Sequence, residues 1–136
     1  MLVIDNPATV AAPVGAYSHV ARVDVGTGTL LFLSGQIALD DDGALVGPGD
    51  MVAQATRVFE LIGAVLAAHG ATFADVVNIR TFLIDMAQLP QYAQVRRQVF
   101  TGPPPTSTTV EVTRLFRDGA LLEVEVVAAV ALHEPS

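Results

Sequence analysis

Cysteine and lysine are both absent from the 136 residues. Without cysteine there is no disulfide, no thiolate zinc site and no cysteine nucleophile. Without lysine there is no Schiff-base amine, no covalently held pyridoxal phosphate and no Walker A lysine. Positive charge is scarce altogether: seven basic residues, all arginine, face fourteen acids, for a net charge of −7. Such a chain repels phosphate backbones, so no nucleic-acid partner is expected. Arg96-Arg97 and Arg114/Arg117 are the nearest approach to a basic patch, and both read as solvated surface. No apolar run reaches the roughly 18 residues of a membrane span, so no membrane partner is expected. The opening "MLVIDNPATV" lacks the basic region and long apolar core of a signal peptide, which makes the cytoplasm the expected address.

What is present is apolar. Hydrophobic residues make up 51% of the chain and charged residues 15%. The length suits one domain, residues 1–136, with a real core. Hiding that much apolar surface inside one small domain is difficult, which points to interfaces between copies.

"YSHVARVDV" (17–25) and "TLLFLSGQ" (29–36) read as strands around a "GTG" turn. "DDDGALVGPGD" (40–50) is loop chemistry: it lacks the alternate-ligand spacing of a calcium loop. Asp50 stands at an N-cap position before a helix, "MVAQATRVFELIGAVLAAHG", that Gly70 ends. Val52, Ala55, Phe59, Ile62 and Leu66 form its apolar stripe, and His69 lies in its last turn. "VVNIRTFLID" (76–85) is a strand and "LPQYAQVRRQVF" (89–100) a second helix. Strands follow at 108–113 and 121–132. The order β-β-α-β-α-β-β gives an α+β fold, two helices packed on one sheet. On the last strand Leu122, Val124, Val126, Ala128 and Val130 alternate with Leu121, Glu123, Glu125, Val127, Ala129 and Ala131. The second set turns apolar after Glu125, and with no further helix to cover it, another subunit is the economical cover.

Chemistry is sparse. "GTG" precedes no helix and is no dinucleotide fingerprint. His19, His69 and His133 are too scattered for a metal site, so neither metal nor cofactor is expected. Ser107 or Ser18 with His19 leaves a Ser–His arrangement open, although no nucleophile elbow "GxSxG" exists. Glu123 stands out as a carboxylate on a mostly apolar strand. It either pairs with an arginine such as Arg80 or is desolvated, which raises its pKa and makes a general acid/base. In "PPPTSTTVEV" (103–112) prolines stiffen the approach to a strand, and four hydroxyl side chains follow. That run has the look of a binding-site lip without a cation.

"GAYSH" (15–19), "LLFLSGQIALD" (30–40), "HGATFADVVNIRTFLIDM" (69–86), "VEVTRL" (110–115) and "LLEVEVVAAV" (121–130) occur in the order and spacing of one family. Over nearly its whole length the chain resembles the RidA/YjgF family, also labelled RutC-like or endoribonuclease L-PSP. The resemblance implies a chorismate-mutase-like fold assembled as a homotrimeric barrel, with small-molecule clefts between subunits. It also implies hydrolysis of reactive enamines and imines such as 2-iminobutanoate. The family's pocket tyrosine falls on Tyr17, and its "SGQ" residues on Ser34 and Gly35. Its water-serving glutamate falls on Glu123, one residue further from "VEV" than usual. The small positions before "VEV" fall on Thr108 and Thr109, and an asparagine of the second helix falls near Ala93. The arginine that clamps the substrate carboxylate in "PARS/T" falls on Ser107.

That last departure matters. A single neutral donor in place of a bidentate cation should cost roughly 1.5–3 kcal/mol of affinity for an anionic ligand. This is about tenfold to a hundredfold in binding, unless Arg80 or Arg114 of a neighbouring subunit supplies the charge. Three readings follow: a RidA-like hydrolase or deaminase of a less anionic metabolite, a non-catalytic ligand-binding trimer, and an RNase, which the net charge disfavours.

Overall fold

The computed structural model describes residues 1–131, so His133 and the far end of the expected 121–132 strand lie outside the described residues. Eight main elements follow in the order β1 (Leu2–Asp5), β2 (Val20–Val25), β3 (Gly28–Leu33), α1 (Met51–Ala68), β4 (Val76–Leu83), α2 (Leu89–Val99), β5 (Thr106–Glu111) and β6 (Leu122–Ala131). The strands form one sheet in the order β1-β2-β3-β6-β4-β5. All neighbours are antiparallel except β4 and β5, so the sheet is mixed. The α+β arrangement expected from sequence holds, with a strand added at the front. Four residues at the N-terminus carry no readable period, yet they pair along β2 from Leu2↔Val23 to Asp5↔Val20. The first expected strand is correspondingly shorter: residues 17–19 belong to the irregular segment before β2.

α1 begins where Asp50 accepts a hydrogen bond from the Ala53 amide at 3.1 Å. It ends at His69, followed by Gly70 at φ +71°, a left-handed turn that disfavours side chains. The expected stripe needs one correction. Val52 is exposed, and Met51, Val58 and Val65 join Ala55, Phe59, Ile62 and Leu66 in the core. By length and hydropathy α1 alone would suit a membrane span, but half of it is buried in the fold. Here it is the central core helix, with Gln54 bonded to Gly47, Gly119 and Leu121 backbone groups.

The sheet is built with two unlike faces. Leu31, Ile79, Leu83, Leu122, Val124, Val126 and Ala128 are buried under the helices. Each Leu, Ile or Val among them contributes about 1.5–3 kcal/mol by leaving water. The opposite face carries Phe32, Val127, Ala129, Phe82 and Val110 around the acids of β6, as the alternation of β6 predicts. Phe32 stays 45% exposed. No element of the described chain covers this face.

Candidate functional site

β3 and β6 pair regularly up to Phe32↔Val127, and then the chain loosens. Contact resumes at an isolated bridge, Gln36↔Val124, with residues 32 to 36 spanning what 127 to 124 span, one residue more. The extra residue bulges Ser34 and Gly35 out of the ladder. Ser34 is tied down by both its groups: its amide donates to His19 O at 3.0 Å, and its Oγ donates to Ser18 O at 2.6 Å. Gly35 lies beside Glu123. A Cβ built on Gly35 would come within 2.2 Å of Glu123 Oε1 and 2.9 Å of its Cγ, so only a hydrogen there leaves room for the carboxylate.

An open cleft of about 420 Å³ forms at this point, lined by Val14, Tyr17, Ser34, Gly35, Phe116 and Glu123. Tyr17 and Val14 are held by the irregular segment between β1 and β2. That segment is stapled by Asn6, which accepts the His19 amide at 2.8 Å, and by the His19 ring. Ala11 O can only accept, so His19 Nε2, 2.7 Å away, carries the proton, and Nδ1 receives Gln36 Nε2 at 3.2 Å. The Tyr17 ring meets His19 edge-on at 6.3 Å. With both ring nitrogens engaged this way, His19 has none left for Ser18 or Ser107, and the Ser–His arrangement left open by the sequence does not form. Nor do the described residues contain a cluster of His, Asp and Glu able to hold a metal ion.

The electrostatics of Glu123 differ from the structural pairing considered from sequence. Arg80 faces Glu125 across the β4–β6 ladder and pairs with it, Nη2 to Oε1 at 2.6 Å. Glu123 faces Phe82 instead. No cation lies within 4.0 Å of it among the described residues. Burial pushes its carboxyl above the ordinary value near 4.5, and repulsion from Glu125 adds to the rise. A half-buried carboxylate with a raised pKa holds a proton more readily than an ordinary one and can serve as a proton acceptor.

The remaining expected residues do not join this cleft within one chain. β5 is the far edge of the sheet, separated from β6 by β4. Its hydroxyl run also divides between the faces. Thr108 is in register with Arg80 and Glu125, whereas Ser107 and Thr109 are in register with the buried Ile79 and Thr81. Ser107 is not left without a cation, however. Arg96 of α2 donates from Nη1 to Ser107 Oγ at 2.8 Å. Within the chain Arg80 is engaged by Glu125. Sequence reading took Arg96 as solvated surface. Nothing in a helix ending "VRRQV" says which arginine a distant strand will meet.

Residues 8–130 match the family model described as Endoribonuclease L-PSP. The chain belongs to this family, the RidA/YjgF family of the sequence resemblance. Protein DfrA of Myxococcus xanthus is 44% identical over 115 residues, 85% of this chain and 86% of that protein. The 2-iminobutanoate/2-iminopropanoate deaminase of Mus musculus is 30% identical over 117 residues, 86% of this chain and 83% of the mouse protein. Among solved structures, Escherichia coli TdcF with bound serine superposes with a TM-score of 0.80 at 26% identity, covering 95% of this chain and 98% of that one. The family therefore includes imine deaminases and a member that holds a small amino acid.

Proposed function

We propose that this RidA/YjgF protein hydrolyses a reactive imine or enamine to a carbonyl compound and ammonia, in clefts between the subunits of a homotrimer. The observation that carries the reading is Glu123: an unpaired carboxylate with a raised pKa, seated over Gly35 in a cleft beside Tyr17 and Ser34. Water adds to the imine carbon, forming a C–O bond, while Glu123 takes one of its protons. Glu123 then returns that proton to the nitrogen. Glu123 next takes the hydroxyl proton and delivers it to the amine nitrogen as the C–N bond breaks, so that ammonia leaves, the hydroxyl becomes a carbonyl and the carboxylate is regenerated. Tyr17, Ser34 and the Gly35 backbone position the substrate.

Assembly completes the site. No described element covers the apolar open face, and burying it against other copies would bring the Ser107–Thr109 edge of one chain toward the Glu123 cleft of another. The partners in this reading are a small-molecule ligand and two further copies of the chain; neither nucleic acid nor a membrane takes part. A cytoplasmic address belongs to the same reading.

The test is ammonia release from 2-iminobutanoate generated in situ, on protein whose mass is first measured by light scattering. A mass of three chains and turnover above the spontaneous rate are expected. Glu123→Gln should lower turnover by about 10²- to 10⁴-fold, the usual worth of a general base, without changing the mass. A one-chain mass would remove the inter-subunit cleft. Turnover unchanged in a folded Glu123→Gln protein would remove the mechanism.

A further inference from the structure

Three arginines sit against carboxylates: Arg22 with Asp24, Arg57 with Asp41 and Glu60, and Arg80 with Glu125. Arg117 donates to the Gly43 carbonyl. Arg96 is placed differently. Among the described residues no carboxylate lies within 4.0 Å of it, and its partner is the neutral hydroxyl of Ser107. A hydroxyl fixes the direction of the guanidinium without neutralising it; the Tyr92 hydroxyl lies beside the same guanidinium, and the remaining N–H groups are left for other acceptors. The Phe100 ring lies 5.8 Å from the guanidinium carbon, a second constraint on its position. Arg96, Arg97, Phe100 and Pro104 line an open groove of about 260 Å³. Arg97 also has no carboxylate within 4.0 Å among the described residues. In a chain of net charge −7, two adjacent uncompensated guanidiniums beside apolar walls make a local sink for an anion. Position in the last turn of α2 suits an arginine for the helix dipole. The dipole does not account for the contact across to β5.

We propose that Arg96, aimed by Ser107, recognises the carboxylate of a short-chain substrate and so takes over the role of the clamp arginine that position 107 lacks. Charge has moved from the strand to the facing helix, and the hydroxyl left behind has become its guide. The groove is small, and Phe100 and Pro104 suit an aliphatic chain beside the charged group. The inference rests on the imine-hydrolase reading only for the ligand's other end, which that reading places at Glu123. It changes the expectation drawn from position 107 alone: an anionic imine is a fitting substrate.

Binding separates the two claims. Calorimetric titration of the wild-type protein with 2-oxobutanoate and with its neutral amide should favour the carboxylate by about tenfold to a hundredfold, the worth of one charge-assisted contact. Arg96→Gln should abolish that preference, and Arg96→Lys should keep part of it, because the charge remains without the planar fork. Ser107→Ala should weaken it by only about threefold, as loss of a guide rather than of the charge. A wild-type protein that binds both compounds equally, or neither, overturns the proposal. So does a preference that survives Arg96→Gln or disappears only in Arg97→Gln. If carboxylate preference depends on Arg96 while no imine is turned over, the inference stands and the hydrolase reading falls. If imines are turned over and the preference ignores Arg96, the reverse holds.

Discussion

Glu123 and Glu125 share a strand, a face and a side-chain type, but among the described residues only Glu125 has a cation. The ladder with β4 sets Arg80 across from Glu125 and Phe82 across from Glu123. On the other side of β6 the bulge at Ser34-Gly35 brings bare backbone against Glu123. One carboxylate is thereby neutralised in a partly exposed pair worth about 0–1 kcal/mol. Its neighbour is kept half-buried and unpaired, and its pKa rises. The difference between the two acids comes from what a one-residue slip in the β3–β6 pairing and a two-residue step along β6 place beside each, not from the acid itself.

The bulge end of the comparison is the easier to break. Gly35→Ala puts a methyl group where Glu123 now lies, 2.2 Å from Oε1 and 2.8 Å from Cδ. The tip of the side chain can swing away, but the Cγ contact at 2.9 Å means that the stem must move as well. The expected loss is about 1 kcal/mol of stability, at the lower end of overpacking costs. The expected fall in kcat/KM is larger, about 10- to 100-fold, because the base leaves its position. Urea midpoints and steady-state kinetics on one preparation check both. A stable Gly35→Ala protein with undiminished kcat/KM would show that Glu123 does not need its seat over Gly35.

How much of this contrast was legible beforehand depends on whether it was local. Asp50, Gly70 and the spacing from Ala55 to Leu66 mark α1 because caps and helical period lie within one segment. The two faces of β6 were legible for the same reason, and so was Glu123 as the odd carboxylate among apolar neighbours. Its lack of a partner was not. Arg80 was a reasonable mate until register decided between two glutamates, and register is settled by packing such as Leu83 beside Leu122. β1 is not legible in the sequence because its four residues are mostly exposed and mark no face. The division of Ser107 from Thr108, and the meeting of Ser107 with Arg96, depend on the parallel pairing of β5 and on where α2 crosses it.

The Arg80 end can be sharpened by changing Glu125's charge balance without touching Glu123. Arg80→Gln leaves Glu125 uncompensated, so its repulsion of Glu123 grows and the Glu123 pKa rises further. Glu125→Gln removes the repulsion and lets the pKa fall. The acid limb of the kcat/KM profile should therefore move upward in the first variant and downward in the second. Shifts should shrink in high salt. Two variants moving in the same direction would mean that the pair acts on Glu123 through strand geometry rather than through charge.

The smallest expected effect is on stability, and its sign is the informative part. The folded Glu123 carboxyl sits above its ordinary value near 4.5, pushed first by burial and then by Glu125. Below that value both folded and unfolded chains carry the proton, and the favourable contribution of the neutral form is fully present. As pH rises through the raised folded value, the fold must hold a carboxylate that its surroundings disfavour, and that contribution is lost. Glutamine stays neutral throughout. Glu123→Gln should therefore melt higher than wild type at pH 7, by on the order of 2 °C given the partial exposure of the site. The difference should close as the pH is lowered toward 4. A gain independent of pH would mean that the amide packs better and that the carboxyl is not perturbed. A wild type more stable than the variant at pH 7 would mean that a cation reaches Glu123 in the assembled protein. Arg96 of a neighbouring copy would then be the first to replace, because it combines a free charge with a fixed direction.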